Sequence, residues 1–309
     1  MSGVSRRAVI TDPNGVYEGD VNEKGLKHGS GVYKVNTGDV YEGEYLNGLK
    51  NGYGVYTWAN GDKFEGYYKD DIKWGHGIYK WSNGEVFEGE YVKGVKCGHG
   101  TYTWPNGDRF EGEYKDGVKE GFGVYKLATG RIYEGQYSRD MRNGQGTSRY
   151  TDGSVYTGEW FDGKEHGHGL LKFSDGSSYE GDFQNGAPNG QGKYTYSNGN
   201  CYTGGFRNGL TDGPGSLTFS DDSRILKANW KDGQVDGDAT IIYPDGGKYN
   251  GEVVNGIRQG RGVMTETNGD IYDGEFFRDL RHGEGLLAAN GKQKRVKYNM
   301  GKKVGLCSC

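Results

Sequence analysis

His166 and His168, one residue apart, are the pair in this chain that comes nearest to a metal-binding spacing. Zinc requires three or four converging ligands, and neither a carboxylate pair nor a cysteine pair repeats beside them, so they read as loop histidines with no metal. The remaining histidines, His28, His76, His99 and His282, fall at equivalent places beside glycines. Glutamates two residues apart, as at Glu42 and Glu44, have the look of an acid–base couple. The same pair returns all along the chain, however, whereas a catalytic couple is a single constellation. No Gly-x-Ser-x-Gly elbow is present, and no glycine loop opens a helix to cradle phosphate. Cys97, Cys201, Cys307 and Cys309 form neither a disulfide framework nor spaced ligand pairs, which leaves reduced thiols. The expectation is therefore no catalytic residue, no cofactor, no metal and no enzyme.

These residues recur because the chain recurs. The unit Tyr-Glu-Gly-Glu-Tyr at residues 41–45 returns, with substitutions, from Tyr17, Tyr41, Phe64, Phe87, Phe110, Tyr133, Tyr156, Tyr179, Tyr202, Leu226, Tyr249 and Tyr272, mostly 23 residues apart. A fixed period of this size means stacked supersecondary units. Of 309 residues, 60 are glycine and 32% are hydrophobic, which argues against a thick core. Glycine does not fall at every third place, so collagen is excluded. Aromatics make up 14% and are periodic, which disfavours disorder.

Counting the first aromatic of each copy as position 1, glycine holds position 3 and an aromatic usually holds position 5. In a strand these share one face, while the acids at positions 2 and 4 share the other. Glycines at positions 12 and 14, such as Gly52 and Gly54, precede a second alternating run, Val55 to Trp58. Asn-Gly or Asp-Gly then follows, as at Asn60-Gly61 and Asp152-Gly153, and signals a two-residue hairpin with positive φ angles. The predicted fold is all-β: an elongated, single-layer antiparallel β-meander of about 12 or 13 hairpin repeats, forming a twisted ribbon on the order of 100 Å long. Residues 1–9 are an N-terminal extension, 10–305 the array, and 286–309 a basic C-terminal cap or tail. The copy at 226–248 is degraded, with Leu226, Ala228 and Ala239 in place of an aromatic and two glycines, and a bend is expected near 221–239.

The sequence of Tyr-Glu-Gly-Glu-Tyr, a glycine-bearing spacer, Gly-x-Gly and Asn-Gly-Asp resembles the MORN repeat, the membrane occupation and recognition nexus motif. The resemblance spans about residues 10–305 and implies an elongated sheet of one hairpin per repeat. It also implies a scaffold at cytoskeletal or membrane structures that captures a partner segment or dimerises through the sheet.

One layer cannot cover both of its faces, so a contiguous aromatic strip is expected to attract a protein segment or a second copy of the chain. The ring positions expected to line an exposed groove are Tyr45, Tyr68, Tyr91, Tyr114, Tyr137 and Trp160, with Trp58, Trp81 and Trp104 from the second strands. At the end of the chain, Lys292, Lys294, Arg295, Lys297, Lys302 and Lys303 precede Cys307-Ser308-Cys309, and no acid follows Gly285. Six bases near an anionic leaflet supply about 6 kcal/mol, and lipidation at Cys307 or Cys309 would add a second anchor. A peripheral module for anionic phospholipids is thus the alternative, with Lys93, Lys96, Lys115 and Lys119 as loop bases meeting headgroups. A ciliary structural component is a third reading, by analogy alone. Net charge is -4, which does not suggest nucleic acid. No apolar run is long enough for a transmembrane segment, and a cytoplasmic location is expected.

Overall fold

The structure is a computed structural model that describes residues 6–305, and within them every regular element is a β-strand. Strands of seven and nine residues alternate, as in Val40–Leu46, Leu49–Thr57, Lys63–Lys69 and Ile72–Lys80. Among the described residues two compact units emerge, one of residues 6–151 with 160–163, the other of residues 152–159 with 164–305. Within each, consecutive strands pair antiparallel. In the first unit Arg6–Asp12 pairs with Gly15–Val21, and the meander continues to Ile132–Ser138 against Met141–Arg149. In the second it runs from Lys164–Lys172 against Ser178–Gln184 to Lys292–Asn299 against Lys302–Gly305.

The pairing register sets the faces. Tyr41 lies opposite Tyr56, Gly43 opposite Gly54 and Tyr45 opposite Lys50, so positions 1, 3, 5, 10, 14 and 16 share one side, the ring face. Glu42 opposite Val55 marks the other, where the acids at positions 2 and 4 stand exposed as anticipated. Position 1 is the centre of each hairpin: Tyr41, Phe64, Phe87 and Phe110 are fully buried, as are Tyr156, Tyr179 and Tyr202 in the second unit. Each ring lies flat across the glycines at positions 3 and 14. A Cβ placed on Gly112 would meet the Phe110 ring at 2.7 Å, and one on Gly123 would meet it at 2.5 Å.

The two glycines of Gly-x-Gly therefore have different causes. Gly54 needs to be bare because a ring covers it, whereas Gly52 has φ +100°, a left-handed backbone that side chains resist. A register shift between Gly43 and Tyr45 coincides with this turn in the backbone.

The turns correct one expectation. At Asn60-Gly61 only Gly61 has positive φ, the Trp58 carbonyl accepts from the Gly61 N–H, and Trp58 N–H donates to the Asp62 carbonyl, which makes a type I turn ending in a bulge glycine. The two-residue turn with both angles positive is at the other connection, Asn47-Gly48, between the paired Leu46 and Leu49. Its equivalents hold Lys93 and Arg139 in the left-handed region.

The degraded copy keeps its hairpin, Ile225–Lys231 against Gln234–Ile242, but fills its interior with aliphatic side chains. Leu226, Ala239 and Ile241 cluster there with Tyr249 and Met264. Ala228 and Ala239 are tolerated because no ring lies across them.

Residues 286–305 are not a hanging tail. They belong to the last strands, where the bases divide between faces: Lys292 and Lys294 are exposed but share the alternation of the buried Val296 and Tyr298, while Arg295 and Lys297 alternate to the other side. Lys302 and Lys303 lie on the closing strand. Cys307 and Cys309 lie outside the described residues.

Candidate functional site

In the first unit the ring face forms one uninterrupted ladder of edge-to-face contacts. Tyr45 stands 5.2 Å from both Tyr17 and Tyr41, and Tyr68 stands 5.3 Å from both Tyr41 and Phe64. The series passes through Tyr91, Tyr114 and Tyr137 to Trp160, whose ring is 4.9 Å from Tyr133. Each such contact contributes about 0.5–1.5 kcal/mol. Position 5 rings are thereby floor and not rim, a correction to the expected exposed groove. Tyr45, Tyr68, Tyr91, Tyr114, Tyr137 and Trp160 are only 2–6% exposed, because the five tyrosines are each wedged between the position 1 rings of two successive copies and Trp160 packs on Tyr133.

Trp58, Trp81 and Trp104 remain half-buried. They bridge copies on a second, upper row: Trp58 is 4.5 Å from Tyr56 and 5.2 Å from Tyr79, and Trp81 is 4.4 Å from Tyr79 and 5.3 Å from Tyr102. Acids at the end of each copy brace that row. Asp62 accepts from the Tyr79 hydroxyl at 3.0 Å and from the Ser82 N–H at 2.8 Å, and the backbone bond holds its carboxyl below the usual range. Asp39 likewise accepts from the Tyr56 hydroxyl and the Ala59 N–H, and Asp108 accepts from the Tyr125 hydroxyl and the Ala128 N–H.

Between floor and upper row lies a column that the sequence reading did not isolate, the cations at position 10. Lys50, Lys73, Lys96, Lys119 and Arg142 occupy it, with Lys27 in the first copy, whose loop is one residue longer. Of the four lysines expected as loop bases, Lys96 and Lys119 sit in Val95–Thr103 and Val118–Lys126 on the ring face, while Lys93 and Lys115 are exposed. Each ammonium occupies a cage of rings. Lys73 Nζ is 4.7 Å from the Phe64 centroid, 4.3 Å from Tyr79, 5.0 Å from Trp58 and 5.9 Å from Tyr91. Lys96 repeats this against Phe87, Tyr102, Trp81 and Tyr114 at 4.4–6.0 Å. Burial, aided by neighbouring lysines, brings Lys73 and Lys96 down to about 8, and burial lowers Lys50 and Lys119 too. The 23-residue recurrence of lysine was visible in the sequence; its burial was not.

Every signal here is periodic, and the comparisons account for the period. A family model, the MORN repeat, matches residues 17–40, 41–63, 64–86, 87–109, 110–130, 133–155, 156–178, 179–201, 202–224, 249–271 and 272–292. The chain belongs to the MORN repeat family. A search of curated proteins finds no match. Among solved structures, the chain is similar to the wild-type TCP10 domain of Danio rerio CPAP, at 12% identity and TM-score 0.38 over 64% of this chain and 94% of that one. It is also similar to the Drosophila melanogaster SAS-4 (dCPAP) TCP domain in complex with a proline-rich motif of Ana2 (dSTIL), at 15% identity and TM-score 0.34 over 50% and 84%. A virginiamycin B lyase from Staphylococcus aureus aligns at 13% identity and TM-score 0.15 over 96% and 89%. At these scores the likenesses carry no argument about binding or chemistry.

The second MORN unit differs on the same face. Its ladder runs from Tyr156 through Phe183, Tyr179, Phe206 and Tyr202 to Trp230 and resumes from Tyr249 to Tyr298, with the aliphatic copy between. Position 10 there is Glu165, Pro188, Thr211 and Val235 before the cations return at Arg258 and Arg281. The histidines face the opposite side: His76 stands 3.7 Å from Glu88, and His99 stands 3.6 Å from Glu111 and 3.4 Å from Glu113. Among the described residues no group of three or more His, Cys, Asp or Glu is placed to hold a metal, and no helix is long and apolar enough to cross a membrane.

Proposed function

We propose that this MORN protein is a non-catalytic scaffold that docks a protein segment along the ring face of its first unit, at a cytoskeletal or membrane-associated structure. The observation that carries the reading is the lysine column held half-buried among rings over successive copies. A purely structural face has no need of it, since burying an ammonium costs free energy that an apolar residue of similar length would not. The upper rings, Trp58, Trp81 and Trp104, are the parts of the expected aromatic site that a partner reaches, with Tyr45 to Trp160 serving as their foundation.

The phospholipid reading is less well supported. The six C-terminal bases are divided between two faces of the last strands, so a flat leaflet meets only part of them, and about 1 kcal/mol per base no longer sums over all six. Docking is tested by selecting peptides from a displayed random library on the full chain and re-measuring them on the Trp81→Ala/Trp104→Ala variant, with melting curves as a folding control. Selected peptides should lose at least about tenfold in affinity. Peptides that bind the variant equally well would remove the ring face from the proposal.

A further inference from the structure

We infer that the first unit's lysine column takes an acidic polypeptide segment in an extended conformation, with about one carboxylate per repeat. This rests on the docking reading and specifies the chemistry of the partner. Three observations converge on it. Lys50, Lys73, Lys96 and Lys119 each present three donors, and among the described residues none of their Nζ atoms makes a hydrogen bond or an ion pair within 4.0 Å. The acids nearest to them are already engaged: Asp39, Asp62 and Glu85 accept from Tyr56, Tyr79 and Tyr102, and Asp71 and Asp140 accept from the backbone N–H of Lys50 and Lys119 at 2.9 Å.

The second observation is independent of charge. The hydroxyls of Tyr45, Tyr68, Tyr91 and Tyr114 are buried and have no hydrogen-bond partner, and these residues are 3–5% exposed. Phe183 and Phe206 hold the same position in the two second-unit copies whose position 10 is Pro188 and Thr211. The four tyrosine hydroxyls are sealed from a partner and take no hydrogen bond from the ammonium groups, so the acceptors the four lysines lack have to come from outside, as the carboxylates and carbonyls of a peptide.

The third is spacing. Two strands per copy separate successive lysines by about 9.6 Å. A polyproline-II segment has three residues per turn at about 3.1 Å each, so one of its faces repeats every ~9.3 Å. An acid at every third residue then keeps step with the lysines over several copies. Anionic headgroups of a flat bilayer do not fit the same requirement, because each ammonium is half-buried among rings and not held out from the sheet.

The probe is a fluorescein-labelled oligo-glutamate of about 15 residues, long enough to span ~45 Å, titrated by anisotropy into the full chain. Lys73→Met/Lys96→Met should weaken binding at least about tenfold while leaving the fold intact, since methionine fills the cage without a buried charge. Lys63→Met/Lys80→Met removes the same charge from the opposite face and should change affinity less than about twofold. Equal loss in both variants would show generic attraction and overturn the assignment. If a neutral glycine–serine peptide of equal length binds as tightly and ignores the lysine changes, docking stands and the acidic class falls. Preferential binding to phosphatidylserine vesicles, abolished by Lys73→Met/Lys96→Met, would instead assign the column to a membrane. Concentration-dependent mass lost in that variant would assign it to a second copy.

Discussion

Replacing Gly123 by alanine puts a methyl group 2.5 Å from two atoms of the Phe110 ring. Carbon atoms sit comfortably at about 3.5–4.0 Å, so the ring has to retreat by roughly 1 Å. It cannot do so freely, being fully buried with Tyr114 at 5.6 Å and Tyr137 at 5.0 Å. Overpacking of this kind costs about 1–3 kcal/mol, partly offset by the 0.4–1 kcal/mol that alanine recovers from a less flexible unfolded chain, roughly 1–2 kcal/mol net. Phe110→Leu alone gives up two edge-to-face contacts at about 0.5–1.5 kcal/mol each. Combined, the methyl occupies space that the ring has vacated, as it does naturally where Leu226 accompanies Ala228 and Ala239. The double variant should therefore cost at least about 1 kcal/mol less than the sum of the two singles. Urea unfolding of the full chain followed by circular dichroism measures all four corners of the cycle. Additivity within about 0.5 kcal/mol would refute the claim that the ring dictates the glycine.

Phe87→Tyr should stabilise the chain by about 0.5–1.5 kcal/mol, because Tyr41 and Tyr133 at the same position donate to the carbonyl three residues on, and a lower urea midpoint would contradict this. Asp62→Ala removes acceptors from both the Tyr79 hydroxyl and the Ser82 N–H, with an expected loss of about 1–3 kcal/mol, whereas a thermal midpoint within error of wild type would show the brace to be idle. Stability should also depend on pH in a defined sense. Lys73 and Lys96 titrate near 8 in the fold and near 10.4 when unfolded, so between these values the unfolded chain binds more protons and stability rises with pH. The buried tyrosines, raised by burial, oppose this only above about 10. Urea midpoints should climb from pH 8 towards 10 in wild type and much less in Lys73→Met/Lys96→Met, and a parallel response in both would be inconsistent with buried ammonium groups.

The periodic pattern carried the fold because each repeat writes its geometry twice, once in the rings and once in the glycines beneath them. Tyr41, Gly43 and Gly54 could be placed on one face from alternation alone. What alternation could not show is depth. Tyr45 and Tyr91 look available because a single layer has an open side, but contacts to the preceding copy, Tyr17 on Tyr45 and Phe64 on Tyr91, are invisible within one repeat and close that side over them. The same blindness hid Lys73: a lysine beside a turn is ordinarily solvated, and only the register that sets Tyr68 opposite it places its stem among rings. Asn60-Gly61 was a correct hairpin signal with the wrong turn type, since the bulge takes positive φ at the glycine alone. At the end of the chain, counting bases gave a charged tail, while strand alternation spread those bases over two faces.

The central claim is that unpaired ammonium groups lie half-buried among rings in the first unit and await carboxylates. Resolving the lysine ¹³Cε resonances of the full chain across the alkaline range, with and without oligo-glutamate, tests it directly. Lys73 and Lys96 should titrate near 8 in the free protein, well below the other lysines, and move upward when the peptide is added. Lysines that all titrate together near 10.4, with no change on adding peptide, would contradict both the burial and the docking.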